Sequence, residues 1–191
     1  MRAILCKEYG PAETLVIEDV TSPVVKGHGV KVRVKAAGLN FPDTLIIEGK
    51  YQLKPTMPFS PGGEMSGEVI EIGEKVTRFK PGDRVAGLTG YGAFAEEVVV
   101  PEQNILPIPE SMSDEKAAAF SMVYGTSYYA LKQRANIQPG ETLLVLGASG
   151  GVGLATVELG KAMGAHVIAA ASTAEKLAVA KEAGADELIN Y

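Results

Sequence analysis

Apolar and polar positions follow one pattern in the first part of the chain and another in the last third. Up to about residue 110, apolar residues alternate with polar ones in runs the length of a strand. The runs are "LVIEDV", "GVKVRVKAAG", "MSGEVIEIG", "DRVAGL" and "FAEEVVV", and the N-terminal "MRAILCKEYG" reads the same way. Turn clusters such as "SPGG" and "KPGD" separate them. Period-two alternation puts successive side chains on opposite faces of a sheet, and short strands at close spacing predict a small barrel or sandwich. "PDTLIIEG" interrupts the strands and predicts a short helix, with Pro42 as its first residue and Gly49 past its end.

From Ser113 the period lengthens. "SDEKAAAFSMVYGTSYYALKQRANI" reads as helix, capped by Ser113, with acids in its first turn and a break at Gly125. There follow an apolar strand ("PGETLLVLG"), a helix ("GGVGLATVELGKAMGA"), a second strand ("HVIAAAS"), a helix capped by Thr173 ("TAEKLAVAKEAGA") and a third strand ("DELIN"). Strand, helix, strand, helix, strand with short connections is the βαβαβ pattern of a parallel sheet. The fold class is therefore α/β, with a boundary near Met122–Gly125 between units 1–122 and 123–191.

Composition narrows the class of protein. The 191 residues are 46% apolar and 21% charged, which suits a globular chain with a proper core. A net charge of −5 offers no electrostatic reason to expect nucleic acid or an acidic membrane as partner. Cys6 is the single cysteine, and His28 and His166 lie far apart, so no metal-ligand set is legible. No apolar run reaches the roughly 20 residues of a membrane span, and the N-terminus has no signal-peptide pattern. The expected location is cytoplasmic.

The chemistry concentrates at "TLLVLGASGGVGLA", residues 142–155. A strand ending in a glycine turn that opens a helix aims backbone N–H groups and the positive end of a helix dipole at one point, which suits a phosphate. The cluster from Ala148 to Gly153 is a G-x-G-x-x-G with Ala in the first place, in the βαβ context that dinucleotide binding requires. Without that context a glycine turn can serve only to pack a helix close on a strand. No Gly-Lys-Ser/Thr follows, so it is not a nucleoside-triphosphate P-loop. An NAD site places an acid about 20 residues past the turn, against the ribose 2′-hydroxyl. Here the second strand ends "AAASTAEK", with Ala171, Ser172 and Thr173 in that place. Without the acid nothing repels a 2′-phosphate; Ser172 offers a hydrogen bond and Lys176 a charge, which favours NADPH. Lys176 is alternatively a solvated lysine paired with Glu175 or Glu182.

With these motifs in view, the chain resembles the medium-chain dehydrogenase/reductase superfamily, and within it the zinc-free NADPH:quinone oxidoreductases related to zeta-crystallin. The resemblance spans all 191 residues and rests on "AAGLNFPDTLIIEGKY", "MPFSPGGEMSGEVIEIG", "VTRFKPGDRVAGL", "VYGTSYYAL", "PGETLLVLGASGGVGLA" and "GADELINY". The zinc alcohol dehydrogenases have a catalytic cysteine where this chain reads Asn40-Phe41, and a histidine before the glutamate where it has Gly63-Glu64. They also carry a four-cysteine zinc lobe that has no counterpart here. No metal is expected. Glu158 stands where quinone reductases usually have Gln, and is expected to face away from the phosphate turn.

The resemblance implies a GroES-like β-rich barrel, the catalytic and substrate domain, followed by the first βαβαβ half of a Rossmann fold. It places Asn40 and Tyr51 at the nicotinamide and catalytic cleft and Thr126 beside the nicotinamide ring. Ser149, Gly150, Gly151 and Val152 fall along the pyrophosphate, Ser172 and Lys176 at the 2′-phosphate, and Tyr191 on the adenosine side. Each has a plainer alternative: Asn40 an N-cap or turn residue, Tyr51 a half-buried loop aromatic, Thr126 a cap after Gly125, Asp43 a first-turn helix acid. The implied reaction is hydride transfer from NADPH to a quinone or an α,β-unsaturated carbonyl. The alternatives are an enoyl-thioester or alkenal reductase of the same superfamily, or a non-catalytic NADPH-binding or structural protein. Against that pattern the chain reads as C-terminally truncated, lacking the second half of the sheet and the strand through which relatives form homodimers.

Overall fold

The computed structural model describes residues 1–191, which divide into two compact units, Met1–Ser121 and Met122–Tyr191.

The first unit is built on antiparallel strands. Strands β1 (Arg2–Leu5) and β2 (Val16–Asp19) form a hairpin. The main sheet contains β3 (Gly29–Gly38), β4 (Glu64–Ile72), β5 (Arg84–Leu88), β6 (Glu97–Pro101) and β7 (Ile105–Pro107), in the order β6-β3-β4-β5-β7. Its two edge strands, β6 and β7, are consecutive in the chain and joined only by the tight turn Glu102–Asn104. So short a link between opposite edges requires the sheet to curl on itself, which is the barrel. The curl encloses Val30, Val32, Met65, Val69, Phe79, Val85, Val98, Val100 and Ile105. Each fully buried side chain of this kind contributes about 1.5–3 kcal/mol. The alternation in "GVKVRVKAAG" supplies Val30 and Val32 to this core. β7 was not legible in the sequence: three residues are too few to show a period.

Helix α1 (Phe41–Ile47) leaves the end of β3. It starts one residue earlier than expected, with Asn40 as N-cap and Pro42 inside the first turn. Ile46 and Ile47 pack with Cys6 and Phe59 in a second, smaller core that Tyr51 adjoins.

The helix expected from Ser113 is two helices, α2 (Asp114–Ala118) and α3 (Ser121–Tyr128). The break falls at Ala119–Phe120, and α3 runs straight through Gly125. A mid-helix glycine costs about 1 kcal/mol; side-chain bonds from Tyr124 and Ser127 to the next helix hold α3 across it. Thr126 is therefore an internal, exposed residue of α3 and not a cap. The helix passes into a π-helical stretch, Tyr129–Arg134.

The rest of the second unit is β8 (Thr142–Leu146), α4 (Gly151–Ala162), β9 (His166–Ala171), α5 (Ala174–Glu182) and β10 (Glu187–Asn190). The strands are parallel in the order β10-β9-β8. Both crossovers step the same way, so the right-handed rule puts α4 and α5 on one face. That face buries Val145, Val157, Val167, Ala169 and Ala180. Leu144 and Leu146 alternate to the other face and are 53% and 71% exposed. No helix is long and apolar enough to cross a membrane.

Candidate functional site

In the second unit three consecutive parallel strands end in the residues expected at the pyrophosphate, the 2′-phosphate and the adenosine, all at the carboxyl end of the sheet. After β8 the chain turns at Gly147, whose φ of +62° is the left-handed conformation that glycine adopts without strain. Ala148 is fully buried, and its N–H donates to Ala170 O at 3.1 Å, tying the turn to β9. Gly150 N–H donates to Gly147 O at 3.0 Å and Gly150 caps α4 without a side chain. The first N–H groups of α4, on Gly151, Val152 and Gly153, lie ahead of the first helical bond and point out of the helix end. A Cβ on Gly153 would stand 2.4 Å from Gly147 O, so that glycine permits the helix to approach the turn. Ser149 to Val152 thus form a backbone cradle of the kind that accepts a pyrophosphate.

After β9 comes the pair expected to meet a 2′-phosphate. Lys176 Nζ donates to Ser172 Oγ at 3.1 Å, and both are exposed. Thr173 caps α5 by accepting from Lys176 N–H at 3.3 Å, which sets the first turn that carries the lysine. Lys176 pairs with neither Glu175 nor Glu182; its ammonium turns to the serine at the strand end. After β10, Tyr191 N–H donates to Ala171 O at 3.4 Å, and its side chain is 68% exposed. The carboxyl ends of parallel strands are where open α/β sheets bind ligands.

The turn has a support that the sequence did not reveal. Ser127, buried in α3, donates to Val152 O at 3.0 Å, and Thr156 donates to the same carbonyl at 2.6 Å. Glu158, expected to stand apart from the site, accepts a hydrogen bond from Tyr124 on α3. That bond and burial raise the Tyr124 phenol pKa. The sequence distance of 25 residues between Ser127 and Val152 hid this bracing of α4 against α3.

In the first unit Asn40 sits where β3 hands over to α1. Its backbone N–H donates to Asp43 Oδ2 at 2.8 Å, the reciprocal cap of a helix N-terminus. Asp43 Oδ1 accepts from Gly63 N–H at 3.0 Å, so this buried carboxylate ties α1 to the loop before β4. Burial raises the Asp43 pKa, against the hydrogen bonds that lower it. Asp43 is a helix acid in structural use. Asn40 Nδ2 donates to Glu64 Oε2 at 3.0 Å. Leu39 and Phe41, on either side of Asn40, are 80% and 74% exposed. Tyr51 follows α1 and leans on the Ile46–Ile47–Phe59 core. It lies at the opposite end of α1 from Asn40, about 10 Å of helix away.

Nowhere does the fold gather three His, Cys, Asp or Glu side chains around one point. Cys6 is buried with its thiol toward Glu8 O at 3.2 Å, and desolvation raises its pKa.

Known proteins share this order of a curled antiparallel barrel and a parallel βαβαβ unit with a glycine turn. Residues 26–110 match the alcohol dehydrogenase GroES-like domain, and residues 151–191 the zinc-binding dehydrogenase model. The quinone oxidoreductase-like protein 2 homolog of Nematostella vectensis is 48% identical over 193 residues, taking in 100% of this chain and 52% of that protein. The crystal structure of Pseudomonas syringae quinone oxidoreductase superposes with a TM-score of 0.93 at 42% identity, over 100% of this chain and 58% of that one. The Thermus thermophilus quinone oxidoreductase, solved also in complex with NADPH, gives 0.87 at 41%, over 100% and 60%. Over its whole length the chain is similar to quinone oxidoreductases and quinone oxidoreductase-like proteins. It spans about half the length of the curated relatives it matches.

Proposed function

We propose that this chain carries the cofactor cradle and the acceptor-side residues of an NADPH-dependent, metal-independent oxidoreductase acting on a quinone or an α,β-unsaturated carbonyl. In this reading residues 1–122 form the catalytic and substrate domain and 123–191 the start of the cofactor domain. One observation carries it: the ends of β8, β9 and β10 bring together a backbone phosphate cradle, the Ser172–Lys176 pair and Tyr191, with Ala171 where an NAD enzyme has an acid. The Thermus relative solved with NADPH supports the same choice.

The nicotinamide would supply a hydride equivalent, and the protein's part is to hold and orient. Ser149, Gly150, Gly151 and Val152 bind the pyrophosphate through backbone N–H groups. Ser172 and Lys176 bind the 2′-phosphate with a charge-assisted hydrogen bond, and Tyr191 covers the adenosine side. Asn40, Tyr51 and Thr126 are the groups offered to the nicotinamide and to the negative charge that develops on the acceptor oxygen. The apolar side chains of Leu39 and Phe41 beside Asn40 suit a planar, poorly hydrated acceptor.

Calorimetric titration of the 191-residue chain with NADPH and with NADH tests the cradle. Binding of NADPH in clear preference to NADH is expected, and equal or inverted preference would overturn the cofactor assignment. Oxidation of NADPH by a panel of quinones, enones and enoyl thioesters, followed by absorbance, tests the acceptor. Turnover confined to thioesters would replace the quinone reading.

A further inference from the structure

The contacts of Asn40 take their functional meaning from its proposed place at the nicotinamide and acceptor, and rest on that reading. A side-chain amide has two ends of similar shape and opposite polarity, so its direction needs a partner to fix it. Asn40 Nδ2 lies 3.0 Å from Glu64 Oε2, and a carboxylate only accepts hydrogen bonds. Turned over, the amide would set oxygen against oxygen.

The carboxylate is itself held. Glu64 is 1% exposed and begins β4, paired with Gly38 on one side and Leu88 on the other. Its Oε2 occupies the space that a side chain on residue 38 would claim: a Cβ there would come within 2.7 Å of it. The backbone of Asn40 is fixed separately, by Asp43. Asn40 and Asp43 cap the start of α1 reciprocally, and Glu64 meets Asn40 through the amide nitrogen.

We propose that Glu64 is a positioning residue that sets the polarity of the Asn40 amide. Its carboxylate takes one Nδ2 hydrogen and leaves for a ligand the second hydrogen and the lone pair of Oδ1 that does not face the Asp43 N–H of the capping box. That is one acceptor beside one donor, the complement of a primary carboxamide such as the one a nicotinamide carries.

The test is made on the full chain by NMR. One Nδ2 proton of Asn40 is expected to exchange with solvent about tenfold more slowly than those of the exposed Asn104 and Asn190, as one added hydrogen bond implies. Glu64→Gln, nearly isosteric, is expected to abolish most of that difference, because Gln presents either polarity. Unprotected Asn40 protons in the wild type, or protection unchanged in E64Q, would overturn the proposal whether or not cofactor binds.

The swapped pair Asn40→Asp with Glu64→Gln restores the bond with donor and acceptor exchanged. It is expected to recover the thermal stability lost in Asn40→Asp alone while NADPH affinity stays about fivefold or more below wild type. Recovery of both would make the contact a matter of packing and overturn the positioning role. A wild-type chain that shows the protected proton but binds no NADPH would count against the cofactor reading alone, the fixed polarity of Asn40 being upheld.

Discussion

Replacing Gly153 by alanine and Gly125 by alanine makes the same chemical change inside two helices, with opposite consequences expected. Helix propensity alone favours alanine by about 1 kcal/mol at either position. At Gly125 nothing lies within 4 Å of the added methyl, so the gain should be realised. At Gly153 the methyl would stand 2.4 Å from Gly147 O, 2.8 Å from Ala148 Cα and 3.0 Å from the Ala148 carbonyl carbon. All three are backbone atoms and cannot swing aside. Overpacking costs about 1–3 kcal/mol, and contacts this short put the cost at the upper end, for a net loss of about 2 kcal/mol. The two variants should differ by about 3 kcal/mol, which for a chain of this length separates their melting temperatures by about 6–12 °C. Melts followed by circular dichroism, with hydrogen exchange at Val145 and Val167 to read the second unit by itself, measure this. The shift of α4 should also weaken NADPH binding in G153A relative to the wild type. A G153A chain that melts at or above the wild type would refute the argument that close approach demands this glycine.

Lys176→Ala removes the one charge at the end of β9 that faces Ser172; NADPH affinity is expected to fall about tenfold or more while NADH affinity holds, measured by calorimetry. Ser127→Ala takes one of two side-chain hydrogen bonds from the Val152 carbonyl and should cost about 1 kcal/mol in the urea unfolding of the second unit, with NADPH binding weakened a few-fold. Asp186 is held below the usual aspartate value of 3.8 by Lys161, which donates to both its oxygens, and by Val167 N–H. A depressed carboxylate contributes stability that is present above the unfolded-state pKa and lost as pH falls through the folded one. Acid titration of Asp186→Asn should therefore show a lower plateau near neutral pH, converging on the wild type below pH 3.8. Parallel curves down to the lowest pH would count against that linkage.

Some of the site was legible because it depends on near neighbours. The glycine turn, the strand before it and the helix after it fall within 14 residues, and backbone geometry alone makes that order recognisable. Ser172, Thr173 and Lys176 likewise lie within one turn, so their meeting follows from one capped helix start. Asn40 as an N-cap was weighed for the same local reason. The helix break was misplaced at Gly125 because propensity marks glycine as weak, whereas bonds from Tyr124 and Ser127 to α4 hold that segment helical.

The sequence by itself thus determined the class of each half, the strands with a clear alternation, the glycine turn between strand and helix, and the absence of an acid after β9. Periods of 2 and 3.6 residues are properties of the backbone and survive in the order of side chains. Only the tertiary structure decided the order of strands, the curl that unites β6 and β7, the bracing of Val152 by Ser127, and the meeting of Asn40 with Glu64. Those depend on residues 24 and 25 positions apart for the two side-chain contacts. No local period records such a pairing. It exists because burying the barrel valines and the alanine-rich face of the parallel sheet brings distant backbone together, and polar groups caught there must find partners.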